Sequence, residues 1–471
     1  MLYTSLLAWV GCHVDAYEQA KWFGDDQAVK REIRGVDLGK PVESAAFLAR
    51  HIGAGKPLGE RMRLGAGFLG EGWRATEDMF ENHWRAAEAL IERLGLGQVV
   101  RESVDQTFER WDGKGEPYGA RGAEVLLPSR LVNLADVVEV FHAAGGVEAA
   151  VTVARARSGT QFDPDLVELF AAESERIFGE LEAVSTWEAV IGAEPVLAAD
   201  LTHLELDAAL EAVADFVDLK SPYTLGHSRG VADLAGEAAA VAALAPAERT
   251  TVRRAALVHD LGRLGVSNAV WDKEGGLTPG ETERVRLHPY LTGRVLASTP
   301  ALAPLAEVAV QHHERLDGSG YPRGLAGDAL GPPGRILAAA DAYHAKTEHR
   351  PHRPAQGPEE VARALRGEVR AGRLDGDAVD AVLRAAGHRV RRRREWPAGL
   401  TAREVEVLRL VARGLSHRQI AQRLVISRKT ASNHVEHIYA KTGVSNRAMA
   451  SVFAMRHGLL GDDVDLEAPR P

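Results

Sequence analysis

Two adjacent histidines followed by a glycine-rich turn are the strongest candidates for chemistry in this 471-residue sequence. His312 and His313 stand just ahead of an Asp-Gly-Ser-Gly-Tyr-Pro run at 317–322. Glycines let the backbone turn sharply and approach a phosphate or a metal closely, and the proline fixes the exit of the chain. A histidine pair alone is common, so a metal site also requires partners elsewhere in the sequence.

Imidazole and carboxylate side chains at other positions could complete such a site. A bridging carboxylate with imidazoles suits Mn, Fe or Zn, and two ions about 3.5–4 Å apart can activate water and hold the leaving oxygen of a phosphoester. The alternative is that these are ordinary core or surface histidines, which is how we interpret His344 and seven others. The candidate ligands, expected on five helices, are His227, His259, Asp260, His288, His312, His313 and Asp341.

An internal repeat surrounds this motif. Residues 106–136 match residues 311–341 at a constant offset of 205 without gaps, with 13 identities in 31 positions. A long ungapped match indicates a duplicated unit. The first copy lacks the chemistry: Thr107 and Phe108 replace the histidine pair, and Ala8 and Trp9 replace His259-Asp260. We therefore expect no catalysis from it, interpret the apolar N-terminus as the end of a core helix, and expect the first copy to be truncated.

Composition limits the class of protein. The chain is 45% hydrophobic and 26% charged, with a net charge of −9, so nucleic-acid binding would have to come from a local basic region. The single cysteine, Cys12, excludes an intrachain disulfide and points to a reducing, cytoplasmic compartment. No apolar run reaches about 18 residues, so we expect no membrane span. Strand signals are nearly absent, and helical spacing predicts helices over 201–219, 227–244, 248–261, 279–296, 301–313, 335–347 and 358–364.

Taken in order, His259-Asp260-Leu261-Gly262-Arg263 and the run from His312 to Pro322 resemble the HD-GYP branch of the HD phosphohydrolases. The resemblance covers roughly 215–365. It implies an all-helical enzyme that hydrolyses cyclic di-GMP at a centre of Mn or Fe ions. By the family's pattern, one ion is held by His227, His259, Asp260 and Asp341, and the other by Asp260, His288, His312 and His313. The pattern also implies a substrate-binding role for Gly320, Tyr321, Pro322, Arg350 and Arg353.

Two departures from that family bear on activity. The usual lysine of the His-Asp-x-Gly-Lys motif is Arg263, which can bind phosphate but is a poor proton donor because it is permanently charged. We keep Asp260 and Arg263 as the candidate catalytic residues, with Arg263 also a substrate-binding candidate. Tyr223 stands where three-metal members carry a glutamate, so we expect two divalent ions.

The C-terminal region has the spacing of a helix-turn-helix unit. Thr401 and Ser427 are predicted N-caps, and Gly414 is expected to end a helix. Residues 400–460 contain ten Lys or Arg against three Asp or Glu. The alternative is a small helical dimerisation module. The candidate DNA-binding residues crowd the front of the third helix: Arg428, Lys429, Thr430, Ser432, Asn433 and His434.

Five short motifs in this region resemble the LuxR-type DNA-binding domain across 399–461. They are Leu-Thr-x-Arg-Glu, Gly-Leu-Ser, Ile-Ala, Ile-Ser-x-x-Thr and Lys-Thr-Gly-Val-Ser-Asn-Arg. The resemblance implies binding to double-stranded DNA as a homodimer through the third helix. His417 and Ala431 depart from the family's usual Asn and Val.

Together these observations predict an all-α chain. We expect a degenerate HD-like unit over 1–190, an intact unit over 200–384, a basic linker over 385–398, a helix-turn-helix domain over 399–461 and a disordered tail over 462–471. The predicted function is a transcriptional regulator that hydrolyses a cyclic dinucleotide, most simply cyclic di-GMP. The alternative is a nucleotide or metal sensor with little or no turnover that controls DNA binding.

Overall fold

A computed structural model describes residues 1–182, 185–193, 201–389, 396–424 and 426–460, with the backbone alone for 71–81, 182, 186–187, 191 and 402. The chain forms two compact units, Met1–Arg389 and Val390–Pro471. Within the described ranges the elements are helices and short turns. Four isolated β-bridges are present and no β-strand, which confirms the all-α prediction. Residues 390–395, within the linker predicted over 385–398, and the tail predicted over 462–471 lie outside the described residues.

The larger unit begins with the helices of the first copy. Leu7, at the end of the first helix, is buried against Leu90 and Val104, so the apolar N-terminus is part of a core. In order the helices are α1 (Leu2–Leu7), α2 (Ala16–Phe23), α3 (Asp26–Glu32), α4 (Pro41–His51), α5 (Leu58–Gly67), α6 (Trp73–Arg93), α7 (Gln98–Asp105), α8 (Leu127–Ala156), α9 (Pro164–Glu182) and α10 (Thr186–Gly192).

The second copy follows in the same unit. Its helices are α11 (His203–Asp218), α12 (His227–Val241), α13 (Pro246–Val258), α14 (Asn268–Trp271), α15 (Pro279–Arg286), α16 (His288–Ala297), α17 (Ala303–Ala309), α18 (Pro332–Thr347), α19 (Pro358–Arg370) and α20 (Gly376–Ala385). The single helix predicted over 279–296 is wrong, because the chain divides at Leu287 and restarts with Pro289 in the first turn of α16. The helix predicted over 301–313 ends at Ala309, and α20 was not predicted.

Helix α12 lies at the centre of the second copy. Its buried face consists of small residues, including Val231, Ala232 and Ala235, and it packs against α13, α18 and α20. Small side chains allow helix axes to approach closely, which brings the ends of several helices to one region. These ends carry the candidate ligands.

The 205-residue offset is visible in three dimensions. Helices α8 and α18 begin at Leu127 and Pro332, and each follows a short turn, Gly122–Glu124 in one copy and Gly327–Ala329 in the other. The loops before these turns are closed by equivalent antiparallel bridges, Asp112 with Arg121 and Asp317 with Ala326. Buried Glu109 and Glu314 accept a hydrogen bond from the backbone N–H of the residue nine positions later in each copy.

Helix α8 is the one described helix that is long and apolar enough by composition to cross a membrane. Gly145 and Gly146 have non-helical backbone angles and divide it. Leu134 and Val153, from its two halves, are buried in a hydrophobic cluster shared with α9. Core helices of water-soluble domains pass the same compositional test, so the expectation of no membrane span stays a prediction.

The smaller unit contains α21 (Ala402–Ala412), α22 (His417–Leu424), α23 (Arg428–Thr442) and α24 (Arg447–Arg456). The predicted caps are observed: the Thr401 hydroxyl accepts from the Glu404 N–H and the Ser427 hydroxyl from the Thr430 N–H. Gly443 ends α23 in the left-handed conformation, at φ 68°. A core that includes Val405, Leu408, Ile420, Val435 and Ile438 holds the four helices together.

Candidate functional site

The structure brings all seven candidate ligands to one place, six of them at the ends of helices or in turns and Asp341 inside a helix. His227 is the first residue of α12, His259 follows the last residue of α13, and Asp260 precedes the turn Leu261–Gly265. His288 starts α16, and Asp341 lies within α18. The placement of all ligands on helices was wrong, because His312 and His313 lie in the turn after α17.

Asp260 lies between two groups of histidines. Its Oδ2 is 3.8 Å from His227 Nε2 and 3.7 Å from His259 Nε2. Its Oδ1 is 3.4 Å from His288 Nε2 and 3.7 Å from His312 Nε2. The two oxygens of one carboxylate therefore face different histidine pairs, which is the arrangement of a bridging ligand.

Asp341 completes one of these groups and approaches the other. Its Oδ1 is 3.5 Å from His227 Nε2 and 3.8 Å from His259 Nε2, and its Oδ2 is 4.0 Å from His313 Nδ1. Four sets of three potential ligand atoms lie within 4.8 Å of one another. Two of them match the two groups: His227 with His259 and Asp341, and His288 with His312 and His313. The third joins the groups through His259, Asp260 and His312, and the fourth consists of His227, His344 and Glu348.

Backbone carbonyls fix the orientation of three of the rings. His259, His288 and His312 each direct Nδ1 to the carbonyl three residues earlier, at 2.6 Å. A carbonyl can only accept, so Nδ1 carries the proton, and in the neutral ring Nε2 presents its lone pair. Metal-binding histidines are characteristically held in this way, because the bond sets both the tautomer and the ring direction.

These lone pairs need a positive partner. His288 Nε2 and His312 Nε2 are 2.9 Å apart, so two acceptors face each other at hydrogen-bond distance. His259 Nε2 is buried and has no hydrogen-bond partner among the described residues. A cation between such atoms removes the repulsion and the cost of a buried, unsatisfied acceptor. The donor set therefore fits divalent metal ions.

The electrostatics of the cluster favour the metal-binding protonation states of four ligands, whereas His227 is an exception: against the effect of burial, its bonds to Asp341 and Glu348 raise its pKa to about 9. Burial lowers the pKa of His288 to about 4 and that of His312 to about 3, so both rings are neutral at pH 7. Burial would raise the pKa of Asp260, but Arg263 and the surrounding histidines hold it well below its usual range. Asp341 is also held below its usual pKa by His227 and His313 against the effect of burial.

Arg263 is directed at Asp260. Its Nη1 donates to Asp260 Oδ2 at 2.8 Å, and its guanidinium lies over the ring of Trp271, 4.2 Å from the centroid. The planar guanidinium can make both contacts at once, whereas a lysine ammonium could not stack in this way. Contact between Arg263 and substrate stays a prediction.

The glycine-rich loop lies beside the second histidine group. The Tyr321 ring stacks on His313 with centroids 4.7 Å apart, and the Tyr321 N–H donates to the His313 carbonyl at 3.1 Å. A Cβ at Gly320 would overlap the backbone of Glu314 and Arg315, so glycine is required there. Pro322 follows at the exit of the loop, and the Arg286 guanidinium lies 5.5 Å from the Tyr321 ring centroid.

Arg350 and Arg353 make intramolecular bonds in this structure. Arg350 Nη1 donates to the Tyr223 carbonyl at 3.0 Å, and Nη2 donates to Glu348 at 2.6 Å. Arg353 Nη1 donates to the carbonyls of Lys346 and Glu348, at the C-terminal end of α18. The predicted phosphate contacts of both arginines stay a prediction, since the same donors here hold the end of α18.

The corresponding region of the first copy is filled by aromatic rings. Phe108 packs edge-on against Trp9 and His83, with centroids 5.4 and 5.0 Å away. His83 Nε2 lies 3.1 Å from the Ala8 carbonyl. Among the described side chains of this copy, no group of His, Cys, Asp or Glu could hold a metal ion. That the first copy performs no catalysis stays a prediction.

The candidate DNA-binding residues lie at the start of α23. Its buried face consists of Ala431, Val435 and Ile438, so the residues between them face outward. Arg428, Lys429, Thr430 and Asn433 are exposed, and Ser432 and His434 are partly exposed. The outward positions near the helix N-terminus are the ones that a recognition helix uses to reach phosphates and base edges.

Sequence reasoning missed three residues near the centre. Trp271 stacks on Arg263, Arg286 lies near Tyr321, and Glu348 contacts His227. Glu348 could have been found, because it lies seven positions after Asp341 and residues with this spacing share a helix face. Trp271 and Arg286 lie in separate helices with no fixed spacing to the motifs.

Comparison with known proteins agrees with this geometry. The chain matches the HD domain family over residues 73–166 and 211–378, and "Bacterial regulatory proteins, luxR family" over residues 398–454. A Vibrio cholerae protein named 3'3'-cGAMP-specific phosphodiesterase 3 is 33% identical over 395 residues, which is 82% of this chain and 84% of that protein. A Thermotoga maritima cyclic di-GMP phosphodiesterase is 34% identical over 187 residues, covering 38% and 50% of the two chains.

A crystal structure of a cyclic GMP-AMP specific phosphodiesterase from Vibrio cholerae has the same fold over most of the larger unit. It aligns with a TM-score of 0.52 and 26% identity, over 82% of this chain and 93% of that one. The relatives are HD-GYP-type phosphodiesterases of cyclic dinucleotides, which confirms the predicted resemblances. The chain belongs to the HD domain family and carries a C-terminal domain of the LuxR family.

Proposed function

We propose that this protein is a metal-dependent phosphodiesterase of cyclic dinucleotides that also binds specific DNA through its C-terminal unit. The observation that carries the proposal is the convergence of seven ligand side chains, with the two oxygens of Asp260 facing separate histidine groups. A cluster of histidines with a purely structural role would not require Nε2 lone pairs that are oriented toward one place and unbonded. Burial of the cluster is costly unless it binds cations.

The site would hold two divalent ions, Mn or Fe, which suit a ligand set rich in imidazole. Such ions supply an activated water and neutralise the charge that develops on the phosphodiester. The chain's own contribution is orientation: backbone carbonyls aim three histidines, and Arg263 and Trp271 hold Asp260 in place. Tyr321 shields one face of His313 from water.

The substrate class follows from the relatives and from the charge near the loop. Relatives are named for hydrolysis of 3'3'-cGAMP and of cyclic di-GMP, and both molecules present two bridging phosphodiesters. Arg286, beside Tyr321, adds a positive charge on the loop side of the centre. We propose cyclic di-GMP or 3'3'-cGAMP as the substrate. The resemblance of the sequence motifs to the HD-GYP branch favours cyclic di-GMP.

A direct assay tests this function. Purified protein with Mn²⁺ is mixed separately with cyclic di-GMP, 3'3'-cGAMP and a 3',5'-cyclic mononucleotide, and the products are separated by chromatography. The expected product is a linear dinucleotide from at least one cyclic dinucleotide and none without metal. Nucleotide binding with no linear product would reject the enzyme.

A sensor without turnover is the second candidate. Arg263 favours it, because a permanently charged guanidinium occupies the place of the family's lysine and is bonded to Asp260. The fusion to a DNA-binding unit also favours it, since occupancy of the centre could set DNA affinity. In this case the assay shows tight nucleotide binding without product, and binding alters DNA affinity.

The C-terminal unit would act as a homodimer on double-stranded DNA in the cytoplasm. The exposed Arg428, Lys429 and Asn433 support the proposal, because they lie on the outward side of α23. Paired half-sites about one helical turn apart are the expected DNA target of such a dimer. Footprinting on genomic fragments would show two protected half-sites if the proposal is right.

A further inference from the structure

We propose that Glu348 is a positioning residue that holds His227 in its metal-binding orientation. This inference rests on the proposed metal centre and concerns the ring of His227, which has no backbone partner among the described residues. Glu348 follows the last residue of α18 and accepts a hydrogen bond from His227 Nδ1 at 2.9 Å. Its side chain is 18% exposed, so this bond is largely shielded from water.

His227 differs from the other aimed histidines in its place in the fold. His259, His288 and His312 each bond a carbonyl three residues earlier. His227 begins α12 directly after Gly226, which has a positive φ of 76°, and the carbonyl of Thr224 accepts the His227 backbone N–H instead. The ring of His227 therefore takes its acceptor from another helix.

Glu348 is itself held by several groups. Arg350 Nη2 donates to its Oε2 at 2.6 Å, and the His344 Nδ1 atom lies 3.3 Å from its Oε1. Arg350 also bonds the Tyr223 carbonyl, which ties the carboxylate to the loop before α12. The His344 ring lies against Gly230, where any Cβ would overlap it. These contacts fix Glu348 in one position, as a positioning residue requires.

The chemistry follows from what a carboxylate can do. An ionised carboxylate only accepts hydrogen bonds, so Glu348 keeps a proton on His227 Nδ1, and Nε2 is the ring nitrogen that faces Asp341, 3.5 Å away. Helix α18 thus supplies a ligand, Asp341, and the residue directly after the helix, Glu348, orients the neighbouring ligand. Loss of such a partner typically weakens metal binding about 10- to 100-fold.

Cobalt titration tests the role of Glu348. Metal-free wild-type protein and the Glu348→Ala, Glu348→Gln and Glu360→Ala variants are titrated with Co²⁺ and followed by visible absorption and calorimetry. Glu360 is exposed on α19, so its variant serves as the matched control. We expect Glu348→Ala to weaken one of two binding steps about 10- to 100-fold and to change the cobalt spectrum.

The remaining outcomes each decide the question. Glu348→Gln should lose less affinity, because its amide oxygen can still accept from His227. Equal affinities in wild type and Glu348→Ala, or equal weakening of both steps, would overturn the positioning role. If Glu348→Ala does not fold by circular dichroism, Glu348→Met, which keeps the size of the side chain but lacks the acceptor, replaces it, and unchanged affinity in that variant has the same meaning. Wild-type protein that binds no Co²⁺ would instead reject the proposed metal centre.

Discussion

Asp260 shows how much of the site one residue can determine. Its two oxygens face different histidine pairs, and Arg263 and Trp271 fix its position from the outer side. If each histidine group binds one metal ion, both ions need this carboxylate as a ligand. Substitution of this one residue is therefore the most direct test of the metal centre.

Replacing Asp260 with alanine should remove most of the bound metal. The change deletes the one carboxylate between the two histidine groups and leaves Arg263 buried without its partner, so metal affinity falls for both ions. Elemental analysis of purified protein measures the result. Asp328→Ala is the control, because that carboxylate is fully exposed in a surface turn and should leave metal content unchanged. Full metal content in Asp260→Ala would refute the bridging role.

Motif residues were predictable from the sequence, but their supporting residues were not. His312, His313 and Asp260 stand in short motifs whose residue types already imply a metal ligand. The partners of Arg263 and Tyr321 come from helices α14 and α15, which no fixed spacing connects to the motifs. Such contacts depend on how helices pack, and a single sequence carries little information about that.

The presence of most helices in the second copy could be predicted from the sequence, but the residues at which they begin and end could not. Periodic apolar residues predicted α12 and α18, which bury faces of small residues. Prolines explain two of the errors: Pro289 lies in the first turn of a new helix where the periodic pattern continued, and Pro332 begins α18 three residues before the predicted start. Except for Asp341, the ligands lie at helix ends or in turns, so the least predictable parts of the fold carry most of the chemistry.

The two copies are joined by a buried carboxylate. Asp26 of α3 is fully buried, and its Oδ1 accepts from the Ser267 hydroxyl at 2.5 Å and the Asn268 N–H at 2.8 Å. Its Oδ2 lies 3.8 Å from Lys220 Nζ, a buried amine with no hydrogen-bond partner among the described residues. The first copy thus stabilises the start of α14, which carries Trp271 at its end.

Asp26→Ala should destabilise the larger unit by about 3 kcal/mol, because it leaves a buried ammonium and two buried donors without an acceptor. Urea unfolding followed by circular dichroism measures the change. The adjacent Asp25→Ala is the control: Asp25 is exposed and caps α3 without touching the second copy, so about 1 kcal/mol is expected. Equal losses in the two variants would mean that the contact between copies contributes nothing.

His83 of α6 should make the first copy acid-sensitive. Burial lowers its pKa to about 4 from an ordinary value of 6.5. Between these values the unfolded chain binds a proton that the folded chain does not, so stability falls as pH decreases from about 6.5 to 4. The contribution is at most ~1.4 kcal/mol per pH unit. Urea unfolding at several pH values should give a shallower acid slope for His83→Gln than for wild type, and equal slopes would contradict the assignment.

The distribution of charge over the whole molecule predicts where DNA binds. The chain carries a net charge of −9, whereas residues 400–460 contain ten basic and three acidic side chains. Electrostatic attraction to a polyanion must therefore come from the smaller unit. The exposed start of α23 is the part of that unit where basic residues and a helix N-terminus coincide.

Lys429→Ala should weaken binding to all DNA sequences and reduce the salt dependence of log K by about 0.9 per protomer, as expected for the loss of one phosphate contact. Lys441→Ala is the matched control on the same helix, because Lys441 donates to Glu404 at 2.9 Å within the unit. Binding is measured by fluorescence anisotropy at several salt concentrations. An unchanged salt slope in Lys429→Ala would exclude the contact.

If the centre controls DNA binding, the coupling must be reciprocal. A non-hydrolysable phosphorothioate analogue of the cyclic dinucleotide separates occupancy from turnover, and we expect it to change the DNA dissociation constant by about 5- to 150-fold. Saturating DNA must then change the affinity for the analogue by the same factor, because both measurements describe one thermodynamic cycle. Calorimetry with and without operator DNA supplies the second factor. No change in either affinity would mean that the two units act independently, and the chain would then be an enzyme that happens to be carried on a DNA-binding unit rather than a nucleotide-controlled regulator.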